Sequence, residues 1–485
     1  MSVTDDRQRD IVLPGINDDT NDLINDLRRR LDRKSPRNQL RAAYYDSHRL
    51  LRHVSPVMPP HYKRLGLVLG WSAKAVDLLA RRCNLEGFSW SGGNLNESGL
   101  AEVWDGNAFG SEVDQGIVSA LIHAVAFAVN TDGTDGEAPA LIHFKSAVDA
   151  TGHWNSRRRH LDDLLSITDR DDNGEPTGIA LYLDGETITG VKEDGKWFLV
   201  DVTEHPYGVP AEVLPYRPRL NREFGSSRIS RPVMSLQDEA VRSIMRGVGH
   251  MDVYSYPEFW MLGADESIFK NADGSLKASY EVMLGRIKGI PDDEDADTPR
   301  ADVKQFPAAS PTPHREWLNT ISKMFARETS LPDNAVAITD FANPTSAESY
   351  DASQYELIAE AEGTVDDFTP GLTRAVVRAL AMANGTSMET FAGVEPTWRN
   401  PRFQSRAAQA DAGLKQLAAM PWLAETEVGL ELLGLDAGQR RRALAERSRV
   451  RGSTVLNALA QAAAPTTAPT TPIGLLPNDA GDGSA

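Results

Sequence analysis

Cysteine is nearly absent: Cys83 stands alone among 485 residues. One thiol excludes an intrachain disulfide framework and any zinc cluster built on cysteines, and the ten histidines are scattered. Long apolar runs are missing as well. The best one, ALIHAVAFAV at 120–129, is too short to span a bilayer and is interrupted by His123. The opening MSVTDDRQRD has no apolar secretory core, so the expected place of synthesis and residence is the cytoplasm. Cationic excess is absent too: 51 Lys and Arg face 69 Asp and Glu, for a net charge of −18. A protein that grips nucleic-acid phosphates normally carries a basic stripe, and no obvious one stands out here. Enzyme signatures fail to appear: there is no G-x-x-x-x-G-K-[ST], H-E-x-x-H or G-x-S-x-G, and no G-x-G-x-x-G after a strand. His143 and His153 lie near Asp149 and Asp162, a proximity expected by chance in so long a chain. The sequence therefore implies no catalytic residues, no cofactor and no metal.

What is present is ordinary in bulk. Hydrophobic residues make up 41% and charged residues 25%, proportions usual in soluble globular proteins, and the length allows several cores or one elongated multi-part subunit. Four local patterns invite a chemical reading. DRDDNG at 169–174 matches the first half of an EF-hand loop, but position twelve falls on Ala180 and Pro176 interrupts, so a hairpin turn is expected. KEDGKW at 192–197 is another such turn. The acidic run DDEDAD at 292–297 suits a solvated loop or a charged docking surface. RRRALAERSRVR at 440–451 reads as a solvated helical face with Glu446 giving local pairs, and contact with DNA is the alternative.

The pattern along the chain sets the organisation. Residues 1–37 read as a loosely attached arm with a helix at roughly 19–33, and 38–90 read as helical, with KAVDLLARRC amphipathic and GFSWSGGN a closing glycine-rich loop. Helix is expected again at about 100–128. Between 138 and 203, short alternating runs separated by turn residues predict antiparallel hairpins.

Residues 224–262, FGSSRISRPVMSLQDEAVRSIMRGVGHMDVYSYPEFWMLG, carry the most information. Pro232 and a Ser235/Asp238 capping-box spacing predict a helix start, and Val241, Ile244, Met245, Val248 and Met251 form one apolar face. A strand at 256–262 follows. Ser275, after the Asp273-Gly274 turn, is placed to cap a short helix bearing Leu276, Tyr280, Met283, Leu284 and Ile287. After PDDEDADTPR comes a strand around Val303–Phe306. Thr312 and Pro313 open a third helix with Trp317, Leu318, Ile321, Met324 and Phe325 on one face, ending before Pro332. A further helix starts after NPTSAES, where Thr345 and Glu348 have capping-box spacing. Arg228 and Arg231, just before the first helix, suit inter-subunit salt bridges, capping contacts or an exposed surface.

This order, with FGSSRISRP and NPTSAES, resembles the portal proteins of tailed bacteriophages, in the branch found in actinobacterial phages and related to the portal of a Bacillus siphophage. LRAAYYDSHRLLR, KAVDLLARRCNLEGFSW and EPTWRNPRFQSRAAQADAGLKQLAAMPW extend the resemblance over most of 38–445. It implies an α+β, mainly helical fold in several parts that assembles into a closed ring, expected to be a dodecamer. The parts would be an N-terminal arm (1–37), a wing of helices and hairpins (38–234), a first stem helix (235–255), a clip (256–310) and a second stem helix (311–330). A tunnel loop (331–345), wing return helices (346–396), a crown (397–462) and a disordered tail (463–485) would complete it.

The implied role is non-enzymatic: a channel at one capsid vertex of the virion, made in the host bacterial cytoplasm, through which double-stranded DNA passes without sequence specificity. Implied partners are the terminase large subunit, a head–tail adaptor, and the major capsid and scaffolding proteins, with no membrane. An acidic bore would repel phosphates and let DNA slide. Val241, Ile244, Val248, Trp317, Ile321 and Phe325 are then the stem-packing residues. Asp292, Asp293, Glu294 and Asp295 would form the clip docking surface. Asp333, Asn334, Asp340 and Asn343 would line the tunnel, in a loop without lysine or arginine. Another structural phage protein, such as a capsid or baseplate component, or a packaging-associated hydrolase, are the alternatives.

Overall fold

A computed structural model describes residues 10–48, 66–254, 258–262, 270–275, 287–290, 302–306, 309–336, 352–402 and 406–462. The chain divides into two units, 1–402 and 403–485.

The first unit opens with α1 (Asp18–Tyr45), capped by Asn17, whose Oδ1 accepts from the Thr20 amide at 2.7 Å. Acidic Asp18 and Asp19 in its first turn suit the positive end of the helix dipole. The helix runs straight through Pro36, so the expected boundary at 37 falls inside it. It is not a loose arm either: Ile24, Leu27 and Leu31 are buried. Asn21 and Asn25 also bind the preceding extended segment, accepting from the amides of Leu13 at 2.9 Å and Ile11 at 2.8 Å. Then come α2 (Trp71–Ala80), β1 (Leu85–Trp90), α3 (Leu100–Gly106), α4 (Phe109–His123) and β2 (Val125–Asp132). GFSW thus belongs to a strand rather than a loop. Its partner, Val394–Trp398, lies about three hundred residues away, and a pairing of that separation leaves no local signal.

The hairpin region is as expected: β3 (Ala140–Ser146), β4 (Ala150–Asn155), β5 (His160–Arg170), β6 (Pro176–Tyr182), β7 (Glu186–Glu193) and β8 (Lys196–Glu204), followed by β9 (Ala211–Pro215). DRDDNG forms the β5–β6 turn, with Asp171 Oδ1 accepting from the amides of Asn173 and Glu175. In the β7–β8 turn both Asp194 (φ +49°) and Gly195 (φ +78°) are left-handed, as a tight hairpin requires. The unit continues through α5 (Arg231–Tyr254), β10 (Glu258–Leu262), β11 (Ile287–Ile290), β12 (Asp302–Phe306), α6 (Thr312–Glu328), α7 (Asp333–Val336) and α8 (Tyr355–Asn384), and closes with β13 (Val394–Trp398), antiparallel to β1.

Four layers result. β2 is the centre of the antiparallel sheet β3-β2-β9, and its residues VAFAV are buried on both faces. Ala126 and Ala128 face the helical core built from α2, α4 and α8. Val125, Phe127 and Val129 face the second sheet, β4-β5-β6-β7-β8, through Leu161, Leu164 and Tyr182. Small residues on one side let the helices approach closely, and large ones on the other fill the gap between the sheets. The far face of the second sheet, with Leu165, Ile179, Leu181 and Ile188, packs on Ile24 and Leu27 of α1.

Between α5 and α6 lies a three-stranded sheet in the order β11-β10-β12, with β10 parallel to β11 and antiparallel to β12. Ile287, expected on a helical face, instead opens β11. The proposed helix at 276–286, the acidic run 292–297 with Asp292, Asp293, Glu294 and Asp295, and the Thr345/Glu348 spacing lie outside the described residues.

The second unit is helical: α9 (Arg406–Ala419), a 3₁₀ turn, α10 (Glu427–Leu432) and α11 (Ala437–Ala462). In α11 two arginines of the basic cluster pair with Glu425, and Arg440 approaches Glu427 and Glu431. Arg447 Nη2 lies 2.6 Å and Arg451 Nη2 3.0 Å from Glu425 Oε2.

One correction concerns charge. Arg30, Lys34, Arg37 and Arg41 recur at steps of four, three and four along α1, so they form a basic stripe on one helix face. The net charge of −18 hid it.

Gly225 shows why FGSSRISRP is so constrained. Its φ is +71°, and a Cβ there would collide with the carbonyl oxygen of Tyr216 and come within 2.8 Å of that of Ala124. Gly225→Ala is therefore expected to lower unfolding free energy by about 2 kcal/mol or more, measured by urea denaturation. A change within experimental error would show that the backbone relaxes there.

Candidate functional site

Ser227, Arg228 and Ser230, which follow Gly225, hold different parts of the unit. Ser227 Oγ donates to the Ile122 carbonyl, and the Arg228 amide donates to Leu121 at 2.9 Å. Ser230 starts α5: its carbonyl accepts from Met234 at 3.0 Å and its Oγ from Val233 at 3.4 Å. The expected Ser235/Asp238 box is not used, because Ser235 already lies inside the helix.

Arg228 is the centre. Its side chain is 3% exposed, and its guanidinium reaches four elements. Nε donates to Ala75 O of α2 at 2.6 Å, and Nη2 to Thr329 O at the end of α6 at 2.6 Å. Nη1 donates to Tyr216 Oη, just after β9, at 3.0 Å and to Glu360 Oε1 of α8 at 2.6 Å. Tyr216 also donates to Glu360 Oε1, and Arg217 approaches the same oxygen at 3.1 Å. Burial alone would lower the guanidinium pKa, but the facing Tyr216 and Glu360 outweigh it and raise it. Burial would likewise raise Glu360. Arg228, the Tyr216 hydroxyl and Arg217 overcome it and hold the carboxyl below its ordinary range.

This anchor sits at the base of a helix pair. α5 leaves it at Arg231 and α6 returns to it at Thr329, so the two helices pack antiparallel. At the far end His250 contacts the Ala309 carbonyl at 3.0 Å and the His314 ring, centroid to centroid, at 4.9 Å. Near the base, Gln237 Oε1 accepts from Ser72 N at 2.8 Å and Ser72 Oγ at 2.6 Å. Of the expected packing residues, Val241, Ile321 and Phe325 are buried, with Phe325 against Trp71 at a ring separation of 5.2 Å. Ile244 and Val248 are half-buried, and Val248 joins Val241, Met245, Leu67 and Leu69. The face expected for α6 is split: Trp317 is 49% and Met324 52% exposed, as is Met251 of α5 at 55%. Helical spacing placed them with Ile321 and Phe325. Among the described residues nothing covers them.

Asp333 and Asn334 lie exposed in α7, close after α6. Asp340 and Asn343 lie outside the described residues. Cys83 is buried and its thiol is pushed up to about 12, chiefly by desolvation, so it stays protonated. His153 pairs with Asp163, at 2.9 Å, rather than with Asp149 or Asp162. Among the described residues no group of three or more His, Cys, Asp or Glu is arranged to hold a metal. No helix there is long and apolar enough to cross a membrane.

A family model described as phage portal protein, SPP1 Gp6-like, matches residues 24–421. The chain belongs to the phage portal family. It is similar to the portal protein of Mycobacterium phage L5, 25% identical over 382 residues that cover 77% of each chain. It is also similar to the portal protein of Mycobacterium phage D29, 24% identical over 384 residues, again 77% of each. The expected kinship with portals of actinobacterial phages therefore holds, and the family is a structural one. Among solved structures, a chain of the neck of a native gene transfer agent particle computed with C12 symmetry is 16% identical. The match covers 81% of this chain and 98% of that one, with a TM-score of 0.40. A chain of the virion of the native particle is 16% identical, covering 75% and 89%, with a TM-score of 0.38.

Sequence reading noticed Arg228 but not its partner. Glu360 is marked only by being a charged residue on a face of α8 otherwise occupied by Leu357, Ala361, Thr364 and Phe368. Arg228→Met leaves Glu360 buried without its main countercharge and is expected to cost about 3–5 kcal/mol. Adding Glu360→Leu should restore part of that loss. Glu360 contributes fully above its ordinary pKa, and the contribution fades as pH falls through the depressed value, so Glu360→Gln should also flatten the acid side of the stability profile. Strict additivity in denaturant melts would show that the two side chains are not coupled.

Proposed function

We propose that the chain is the subunit of a closed ring, expected to be a dodecamer, which forms the channel at one capsid vertex through which double-stranded DNA is packaged and ejected. The observation that carries this is the α5–α6 pair. It is fixed at its base by Arg228, yet it presents Trp317, Met324 and Met251 to solvent. A neighbouring copy would cover that apolar surface, and a heterologous contact repeated around an axis closes into a ring. The helix pairs would then be the stem. The β10–β12 sheet with its acidic run would be the clip, meeting first the terminase large subunit and then the head–tail adaptor. Residues 331–345 would narrow the bore, Asp333, Asn334, Asp340 and Asn343 offering a polar surface without cations on which phosphates do not stick. The wing would meet the major capsid and scaffolding proteins.

Two outcomes are expected. Mass photometry of the purified chain should give a mass many times that of one subunit, and Trp317→Asp with Met324→Asp should reduce it to single copies of unchanged circular dichroism. Rings persisting in the double variant would remove these residues from the interface. Asp333→Lys with Asp340→Lys should slow DNA packaging in a reconstituted reaction while leaving the ring intact. Packaging at the normal rate would remove both from the bore.

A further inference from the structure

The basic stripe of α1 borders a cavity, with Lys34 and Arg37 exposed at its edge and Arg41 half-buried. Lys34, Arg37 and Arg41 join Arg222 around a cavity of about 280 Å³, floored by β2 and β4 and closed on one side by Phe224. Arg30 and Lys34 each stand 5.5 Å above the Phe224 ring. Among the described residues none of Lys34, Arg37, Arg41 and Arg222 forms an ion pair, and the one carboxylate in the lining is Glu223.

A second feature adjoins the same space. His123, 8% exposed, lines the cavity, and its Nδ1 is buried with no hydrogen-bond partner. Its carbonyl is already used by Arg41 Nη1 at 3.1 Å. A buried imidazole nitrogen left without a partner costs free energy unless something else meets it.

We propose that this cavity binds a phosphate-class oxyanion, held by Lys34, Arg37, Arg41 and Arg222 with His123 beneath. Four cations against one carboxylate leave a charge that a single carboxylate ligand would not neutralise. A phosphate dianion or a phosphodiester with its neighbours comes closer, and arginine forks match phosphate oxygens two at a time. The crowding shows in the titration of the groups around the cavity. Desolvation and the charges of Arg30, Arg33 and Arg37 lower Lys34 to about 8, and desolvation with Arg37 and Arg222 lowers Arg41 to about 10. Desolvation and Arg41 lower His123 to about 4, so its ring is neutral at pH 7 and donates through one ring nitrogen only. A bound anion reverses each of these trends. The site is distinct from the helix pair.

The test is isothermal titration calorimetry of the full chain with inorganic phosphate and, separately, with a short DNA duplex. It compares the natural sequence with an Arg37→Ala/Arg222→Ala variant and with Arg157→Ala, an exposed control in the β4–β5 turn. The expected result is one saturable phosphate site per chain, weakened about tenfold or more in the double variant and unchanged in the control, with all three chains equally folded by circular dichroism. A duplex that competes with phosphate identifies the phosphodiester as the source, and phosphate binding alone identifies the free ion. Absence of saturable binding, or binding indifferent to the double substitution, overturns the proposal. So does a double variant that loses self-assembly when the natural chain binds no phosphate, since the cavity would then hold a carboxylate of a second copy.

Discussion

The contact on which the rest of the first unit depends is the buried pair Arg228–Glu360. Taking two such charges out of water costs several kcal/mol per ion, so the pair is not there for stability alone. The guanidinium recovers that cost by placing its donors on Ala75, Tyr216, Thr329 and Glu360, while its own amide holds Leu121. Hydrophobic packing is indifferent to small rotations of a helix, but a planar fork with fixed donor directions is not. The consequence is positional. Both ends of the α5–α6 pair that enter the body are fixed by the same side chain, so a change in the angle of one helix must be transmitted to the other.

The same device recurs where α8 covers the β3-β2-β9 sheet. Glu212 of β9, 2% exposed, accepts from Arg374 Nε and Arg378 Nη2 of α8, each at 2.6 Å. Arg378 continues to Asn130 of β2 at 3.2 Å, and Asn130 Nδ2 returns to the Ala375 carbonyl at 2.9 Å. Gly371 lets α8 lie directly on the Val213 carbonyl, where a Cβ would collide. α8 therefore carries two buried ionic contacts about four turns apart, one to the helix pair and one to the sheets. It joins the sheets to the helix pair.

How much of this was legible depended on the range of the interaction. Local signals read well: the turns at Asn173-Gly174 and Asp194-Gly195, the alternating strands from 140 to 204, and the strands at 258–262 and 302–306 all formed as periodicity and turn chemistry demand. Long-range pairing did not. The strand at Leu85–Trp90 owes its existence to Val394–Trp398, and the arm expected over 1–37 is instead packed down by Ile24, Leu27 and Leu31, whose burial is not visible in sequence. At the site, helical spacing found Val241, Ile321 and Phe325 but assigned Trp317 and Met324 to the same core, since period alone does not say how wide the covered face is. Glu360 was invisible because a buried charge looks like a surface one until its partner is placed beside it. The α1 stripe was overlooked because total charge averages over the whole chain, whereas an anion responds to the local field.

The most direct test of the central claim, that the anchored helix pair is the assembling element of a channel, is a cryo-electron microscopy reconstruction of the assembled chain. The account expects a closed ring in which α5 and α6 of successive copies surround the opening and Trp317 of each copy is covered by its neighbour. The Arg228–Glu360 pair should remain intact inside every subunit. An assembly that leaves Trp317 in water, or that places α5 and α6 away from the axis, would contradict it.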